Sequence, residues 1–273
     1  MGSIYASNLL SLDLSSGFHD STNVVRLARV FAAFLSCCEE LKGYYDAVAT
    51  SAALISHRLS CLYPSPTLAD PARTLPKLMY HKLISRDGRP IPAVADLGFA
   101  ITAMYTATLI ETGQEIIVKF TARYNEKAHR LLADAQLAPA LLFCDRVVGG
   151  LYMVVMERVG GSSIWELRED KVQIPAIVAE KVEEAVCRLH AEEIVFGDLR
   201  DPNILYIPSN DSSDERVLLV DFDWPGKDGE SKYPATLNPA NTWADDVSAY
   251  GVMRKAHDIW QVNRLKVLCT QDA

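Results

Sequence analysis

Two short segments near the end of the chain constrain its fold more than any other feature. Residues 196–205 read FGDLRDPNIL, and residues 217–223 read VLLVDFD. Asp198 and Asn203 are five residues apart across a proline-containing loop, so both side chains reach one cleft if the chain turns back on itself. Asp221 follows four aliphatic residues, a pattern typical of a buried strand. The sequence therefore predicts that a hairpin holds these three polar residues together.

The strands of this hairpin are predicted at residues 204–207 and 217–220, with a polar connection between them. The polar residues that this hairpin holds together are of the types that bind metal and phosphate. A carboxylate at Asp198 can meet a substrate hydroxyl, while the oxygens of Asn203 and Asp221 can hold a cation. Mg²⁺ completes its shell with phosphate and water, so two protein ligands suffice when a nucleotide is bound. The alternative is that these are turn and strand-cap residues, but their ordered occurrence favours the site.

The order and spacing of the two segments resemble the catalytic loop and the metal-binding strand of the protein-kinase-like superfamily. The resemblance implies that Asp198 orients or deprotonates an acceptor hydroxyl, and that Asn203 and Asp221 bind Mg²⁺ beside ATP. The FGDLRxPN loop, together with the DFDW motif that begins at Asp221, is similar to short kinase-like proteins predicted in mushroom-forming fungi.

An upstream strand supplies a candidate cation for the phosphates. Residues 112–120 read TGQEIIVKF, a turn followed by a strand that carries Lys119. By itself, a lysine in such a strand is usually a solvent-facing residue. In the resembled family a lysine at this place binds the α and β phosphates and pairs with a Glu on the following helix. Residues 124–134 are predicted to form that helix, and Glu126 in its first turn is the candidate partner of Lys119.

Two further strands are predicted at residues 137–144 and 151–159, joined by a glycine-containing turn. The resemblance implies that the second strand runs into the hinge between two lobes. Backbone groups around Met156, Glu157 and Val159 would there bind the edge of the adenine ring.

The chain after the hinge is short. A strongly amphipathic helix is predicted at residues 177–191, directly before the loop of Asp198, and His190 at its end is interpreted as a core or capping residue. Only 52 residues follow Asp221, and they contain no Ala-Pro-Glu motif. Because the helical half of an ordinary protein kinase does not fit into that length, we expect a reduced C-lobe.

Three departures from the family pattern bear on activity. Residues 96–105, in the place of the glycine-rich phosphate loop, contain a single glycine. Phe196 and Gly197 stand where protein kinases carry His-Arg; small-molecule phosphotransferases of the superfamily show a Gly before the Asp, and Phe keeps the apolar packing of the His. Asp223 replaces the glycine of Asp-Phe-Gly, either as an added carboxylate or as a solvated residue.

Composition fits one such two-lobed unit plus an extension. The chain has 273 residues, 49% of them hydrophobic and 23% charged, enough to bury a full core. A net charge of −8 and a pI near 5.3 argue against nucleic acid or an anionic membrane as the main partner. Six cysteines without Cys-x-x-Cys spacing are interpreted as buried reduced thiols of a cytoplasmic protein. We expect no signal peptide, membrane span or lipid anchor.

The first eighty residues precede the kinase-like pattern. A helix capped by Ser21 or Thr22 is predicted to extend to about Leu59, and its apolar positions outnumber those of a solvated helix. We expect it to pack on the kinase-like core or, by self-association, on a second chain. The predicted divisions are a helical extension and proline-rich linker at 1–79, a small lobe at 80–159 and a reduced C-lobe at 160–273.

The expected fold is therefore α+β: a two-lobed protein-kinase-like fold with a helical N-terminal extension and a reduced C-lobe. The expected function is transfer of the γ-phosphoryl group of Mg-ATP to a hydroxyl of a protein or small-molecule acceptor, with Asp198 and Lys119 as catalytic residues. Two alternatives stay open: a pseudokinase that binds nucleotide or a partner protein without turnover, and a nucleotide-using transferase of another group. The sequence does not identify the acceptor.

Overall fold

The computed structural model describes residues 21–50, 63–84, 103–209, 214–235, 237–238 and 241–270. The chain divides into two compact units, Met1–Pro66 and Thr67–Ala273. The first unit contains helix α1 (Ser21–Thr50), which confirms the helix predicted there. Its predicted continuation to Leu59 lies outside the described residues. Large apolar side chains of α1 are exposed, among them Phe31, Phe34, Leu41 and Tyr45.

A five-stranded antiparallel sheet forms the first part of the second unit. Its strands are β1 (Leu78–Ile84), β2 (Met104–Leu109), β3 (Glu115–Thr121), β4 (Leu141–Arg146) and β5 (Tyr152–Glu157). Their spatial order is β1-β2-β3-β5-β4, which places β3 at the centre. Ile116 and Val118 are fully buried on one face of β3, so strand alternation turns Lys119 to the other face. The antiparallel sheet predicted around Lys119 is confirmed.

Strand β4 begins four residues later than the strand predicted at 137–144. A proline inside the predicted range disfavours the earlier start. Pro139 has no N–H to donate to a neighbouring strand.

Helix α2 (Glu126–Asp134) begins at a side-chain cap. Asn125 Oδ1 accepts a hydrogen bond from Ala128 N at 3.0 Å, which satisfies an otherwise free N–H of the first turn. Asn125 Nδ2 donates to Pro225 O at 3.0 Å, and Asn125 N donates to Phe222 O at 2.9 Å. The same residue therefore starts α2 and ties it to the DFDW segment.

The remaining helices are α3 (Ile164–Glu169), α4 (Ala176–Ala191) and α5 (Lys255–Thr270). Helix α4 confirms the amphipathic helix predicted at 177–191. Its apolar stripe is buried and consists of Val178, Ala179, Val182, Ala185, Val186 and Leu189. This stripe belongs to the main hydrophobic core, which also contains Phe196 and Phe222. The core therefore lies directly beneath the two segments that define the candidate site.

Short strands complete the second unit: β6 (Ser162–Ser163), β7 (Ile194–Val195), β8 (Ile204–Ile207), β9 (Arg216–Leu219) and β10 (Gly226–Lys227). Strands β8 and β9 pair antiparallel, which confirms the predicted hairpin. A 3-10 turn, Asp201–Asn203, precedes β8, and Val220 N donates to Asn203 O at 3.0 Å. Asn203 and Asp221 therefore lie at adjacent strand ends.

The cysteines agree with the prediction only in part. Cys144 and Cys269 are buried free thiols, as predicted. The exposed ones, which correct the prediction of burial, are Cys37, Cys38 and Cys187. Cys61 lies outside the described residues. In the part of the chain that the structure describes, no helix is both long and apolar enough to cross a membrane.

Candidate active site

Lys119 is held between two carboxylates. Its Nζ lies 2.5 Å from Asp221 Oδ1 and 2.7 Å from Asp223 Oδ1. Thr121 Oγ1 donates to Asp223 Oδ2 at 2.9 Å, so β3 carries both the lysine and a group that fixes its partner. Burial acts to lower the pKa of Lys119, but the two carboxylates outweigh it and raise this pKa. A charged lysine and a predicted metal ligand, 102 residues apart in sequence, thus meet in one cluster.

Glu126 takes a partner other than the predicted one. Its Oε1 accepts a hydrogen bond from Arg130 Nε at 2.8 Å, and both side chains are largely exposed on α2. The structure does not contain the predicted pair of Glu126 and Lys119, because Asp221 and Asp223 surround the lysine ammonium instead. A contact between Glu126 and a cofactor stays a prediction.

Asp198 is buried, with 2% of its surface exposed. Arg200 binds it through both carboxylate oxygens: Arg200 Nη2 donates to Asp198 Oδ2 at 2.7 Å, and Arg200 Nε donates to Asp198 Oδ1. Burial raises the pKa of the Asp198 carboxyl, whereas Arg200 acts to lower it. Arg200 was not among the predicted site residues, although an arginine two residues after Asp198 is visible in the sequence.

Two indole rings flank the guanidinium of Arg200. It lies 5.7 Å from the ring centre of Trp224 and 5.8 Å from that of Trp243. The two indoles stack at 6.1 Å, and Trp243 Nε1 donates to Asn238 O at 2.9 Å. Because cation–π contacts add to the ion pair, this arrangement keeps Arg200 beside Asp198.

Asn203 and Asp221 suit a hard cation. Asn203 Nδ2 donates to the backbone oxygen of Asp198 at 2.9 Å, which leaves the amide oxygen as its ligand atom. Asp221 has a φ of 68°, a strained conformation for a residue with a side chain and one that occurs often at functional sites. Among the described residues, no group of three or more His, Cys, Asp or Glu is arranged to hold a metal. The oxygen donors fit Mg²⁺ provided that a nucleotide completes the shell.

Asp258 of α5 anchors the start of the loop that carries Asp198. Its carboxylate accepts the backbone N–H of Phe196 at 2.7 Å and that of Gly197 at 2.9 Å. His190 Nε2 lies 3.0 Å from Asp258 Oδ2, which agrees with a structural role for this histidine. Asp258 is 1% exposed. It positions the loop from a distance of about 60 residues in sequence, and no local pattern indicated this role.

Gly197 is required by its backbone conformation and by its surroundings. Its φ is 77°, in the left-handed region that favours glycine. A Cβ at this position would overlap the terminal methyl group of Met253, which is fully buried. The backbone conformation and the contact with Met253 therefore explain why a glycine precedes Asp198.

Phe222 joins the site to the core. Its ring stacks on His129 of α2 with centroids 4.4 Å apart, and it meets the ring of Phe196 edge-on at 5.6 Å. All three side chains are fully buried. This aromatic column connects α2, the loop of Asp198 and the DFDW segment, so their positions depend on one another. The predicted apolar packing role of Phe196 is confirmed.

The residues predicted to contact adenine lie at the end of β5. Met156 is buried, and Val159 follows the strand. Glu157 N donates to Ala140 O at 2.9 Å, so this N–H is already used within the sheet. An adenine contact at these residues stays a prediction. Residues 96–102, most of the segment in the place of the phosphate loop, lie outside the described residues.

Comparisons with known proteins add little to this geometry. No family model matches the chain, and no curated protein matches it. Among solved structures, the kinase PK-1 of the Cydia pomonella granulovirus matches at 15% sequence identity with a TM-score of 0.48, covering 70% of this chain and 67% of the viral chain. The observed mixture of helices with an antiparallel sheet is consistent with a kinase-like fold. Because the likeness is so distant, function has to be inferred from the site residues.

Proposed function

We propose that the chain is a kinase-like phosphotransferase, which moves the γ-phosphoryl group of Mg-ATP to a hydroxyl of a protein or small-molecule acceptor. The observation that carries this proposal is the ion pair between the buried Lys119 and the partly exposed Asp221, beside the loop of Asp198. These are the groups that phosphoryl transfer needs: a cation for phosphate, a metal ligand and a carboxylate for the acceptor. In this proposal residues 80–159 form the small lobe, and residues 160–273 form the reduced C-lobe.

Lys119 has the role of binding the phosphates. Asn203 and Asp221 would hold Mg²⁺ through their oxygens. When bound, Mg²⁺ supplies positive charge that neutralises the β and γ phosphates. Asp221 is then shared between the metal and the lysine. Asp223, fixed by Thr121, keeps the lysine oriented.

Asp198 acts on the acceptor. A buried carboxylate with a raised pKa is a better proton acceptor than a solvated one, and it can orient the acceptor hydroxyl by a hydrogen bond. Arg200 occupies both carboxylate oxygens in the structure. Each carboxylate oxygen has a second lone pair, so an acceptor hydroxyl can bind Asp198 while Arg200 stays in place.

A pseudokinase that binds nucleotide or a partner protein without turnover is the second candidate. The Arg200–Asp198 ion pair favours it, because it occupies the carboxylate that would act on an acceptor. The segment with a single glycine in the place of the phosphate loop is a second reason. A nucleotide-using transferase of another group would keep the same metal and phosphate ligands.

Binding of Mg-ATP is the first test. At a ligand concentration of about 100 times the Kd, the free energy of unfolding rises by roughly 2.7 kcal/mol. We expect the melting temperature to rise with Mg-ATP and to stay unchanged with Mg²⁺ alone. An unchanged melting curve in millimolar Mg-ATP contradicts the proposal.

A pair of substitutions then separates enzyme from pseudokinase. We expect Asp198→Ala to abolish transfer while nucleotide affinity stays nearly unchanged, because Asp198 acts on the acceptor. Asp221→Ala should weaken Mg-ATP binding itself, since it removes a metal ligand. Equal loss of binding in both variants contradicts these roles. Mg-ATP binding without turnover in the wild type supports the pseudokinase.

A further inference from the structure

Helix α5 carries four polar side chains on the face that packs on the rest of the second unit. They are His257, Asp258, Gln261 and Arg264. The first three are at most 5% exposed, and such side chains are rarely buried unless they are bound. Each of the four binds a different segment: Asp258 binds the loop of Asp198, the Tyr233 hydroxyl lies 2.9 Å from His257 Nδ1, and Gln261 Nε2 donates to Thr242 O at 3.0 Å. The contact made by Arg264 lies closest to the metal ligands.

Arg264 binds Asp201, the first residue of the 3-10 turn that ends at Asn203. Its Nη1 lies 3.2 Å from Asp201 Oδ1, and its Nη2 lies 3.4 Å from Asp201 Oδ2. Arg168 of α3 binds the same carboxylate through its own Nη1. Asp201 is only 6% exposed. Two guanidinium groups on different helices therefore fix one buried carboxylate in the loop.

The turn transmits the position of Asp201 to Asn203. Only Pro202 lies between them, and its ring restricts φ to about −65°, so this link is stiff. Asn203 N donates to Arg200 O at 2.8 Å, and Asn203 Nδ2 donates to Asp198 O at 2.9 Å. A shift of Asp201 therefore moves the amide oxygen that Asn203 offers to a metal.

We infer that Arg264 and Arg168 are positioning residues for the magnesium site, because through Asp201 they hold the amide oxygen of Asn203 in place. The inference rests on the proposed function, since it requires that Asn203 and Asp221 bind Mg²⁺. It adds a dependence of metal affinity on two arginines from α3 and α5, neither of which touches the metal.

The test is the affinity of the full-length chain for ATP, measured by isothermal titration calorimetry in EDTA and in saturating Mg²⁺. In Arg264→Gln, the gain in affinity that Mg²⁺ provides should shrink about tenfold, as is typical when a group that orients a metal ligand is lost. The affinity in EDTA should stay unchanged, because Lys119 still binds the phosphates. Lys266→Gln is the matched control on the same helix: Lys266 pairs with Glu183 of α4, so both affinities should stay as in the wild type.

Two further variants separate positioning from a contribution to stability alone. Arg168→Gln should reduce the Mg²⁺ gain in the same direction, and it decides the question if Arg264→Gln does not fold, since the Arg168 side chain is 43% exposed. Arg264→Lys keeps the charge but cannot bind both carboxylate oxygens in the same way, so it should recover only part of the gain. Urea unfolding measures the stability of each variant.

The outcomes distinguish this inference from the proposed function. If the arginine variants are folded and keep the full Mg²⁺ gain, whatever their stability, the inference is wrong and the proposed function stands. An equal loss of the gain in Lys266→Gln also overturns the inference. If the wild type binds ATP no better with Mg²⁺ than in EDTA, the magnesium site is contradicted, and the proposed function fails together with the inference.

Discussion

Lys119 Nζ lies 2.7 Å from Asp223 Oδ1, and Thr121 holds the other oxygen of the same carboxylate at 2.9 Å. In the resembled family, the lysine pairs with a glutamate on the following helix. Here the corresponding helix offers Glu126, which is paired with Arg130. In this chain, the carboxylates that hold Lys119 are those of Asp221 and Asp223 in the DFDW segment.

This arrangement predicts different effects for two carboxylates. Asp223→Asn should weaken Mg-ATP binding about tenfold, which corresponds to about 1.4 kcal/mol, because Lys119 loses its orienting charge when Asp221 is shared with the metal. Glu126→Gln is the matched control and should change the affinity less than about twofold. Isothermal titration calorimetry with Mg-ATP measures the affinity of both variants. A larger loss for Glu126→Gln means that nucleotide binding brings Glu126 to the lysine.

Arg200 should control the pH dependence of transfer. Burial raises the pKa of Asp198, and Arg200 opposes this rise. Removing Arg200 therefore raises the pKa further, and a higher pH is needed to ionise the carboxylate. We expect the acid limb of kcat/KM to move to higher pH in Arg200→Gln, and to stay in place in Arg188→Gln, a control on the exposed side of α4. An acid limb that does not move contradicts proton acceptance by Asp198.

His129 should make the fold sensitive to acid. Its Nε2 donates to Pro139 O at 2.8 Å, and its Nδ1 accepts from the Tyr124 hydroxyl at 2.5 Å, so both ring nitrogens suit a neutral imidazole. Burial lowers the pKa of His129 from 6.5 to about 4. Between these two pKa values the unfolded chain binds a proton that the folded chain does not. The free energy of unfolding therefore falls as the pH falls from 6.5 to about 4.

The loss in the free energy of unfolding should reach about 3 kcal/mol at most by pH 4. Urea titrations between pH 7 and pH 4 measure it. The His129→Gln variant should lose less stability over this range than the wild type, whatever its stability at pH 7. His81→Gln, at an exposed histidine of β1, should behave like the wild type. An equal acid response of His129→Gln and wild type contradicts this account.

Asp258 should be needed for stability as well as for catalysis. Asp258→Ala leaves the backbone N–H groups of Phe196 and Gly197 buried without an acceptor, at a cost of about 3 kcal/mol or more. The turnover number should fall too, because the loop loses its anchor. Urea unfolding and turnover assays measure the two effects. Asp245→Ala, at an exposed position near α5, should leave both unchanged.

The parts of the site that could be predicted from the sequence depend on local patterns. The hairpin of β8 and β9 follows from two aliphatic runs with a polar connection, and the strand of Lys119 follows from a turn and alternating residues. Such short-range patterns determine which residues share a strand. The order of Asp198, Asn203 and Asp221 along the chain then indicated that they meet.

The parts that could not be predicted depend on contacts over long distances in sequence. The sequence and the resembled family indicated Glu126 as the partner of Lys119, and only the folded geometry shows that Asp221 and Asp223, more than 100 residues later, bind it instead. Asp258 binds the loop of Asp198 from a helix about 60 residues later. The sequence around a carboxylate in a helix does not predict which distant backbone N–H groups it will bind.

The packing of Gly197 against Met253 restricts how this loop can evolve. Protein kinases carry an arginine at the corresponding place. In this chain, any side chain at position 197 collides with a buried methionine and requires a backbone conformation that only glycine adopts readily. The change from glycine to the arginine of protein kinases would therefore require that the Met253 side chain moves aside and that the new residue adopts a left-handed backbone conformation.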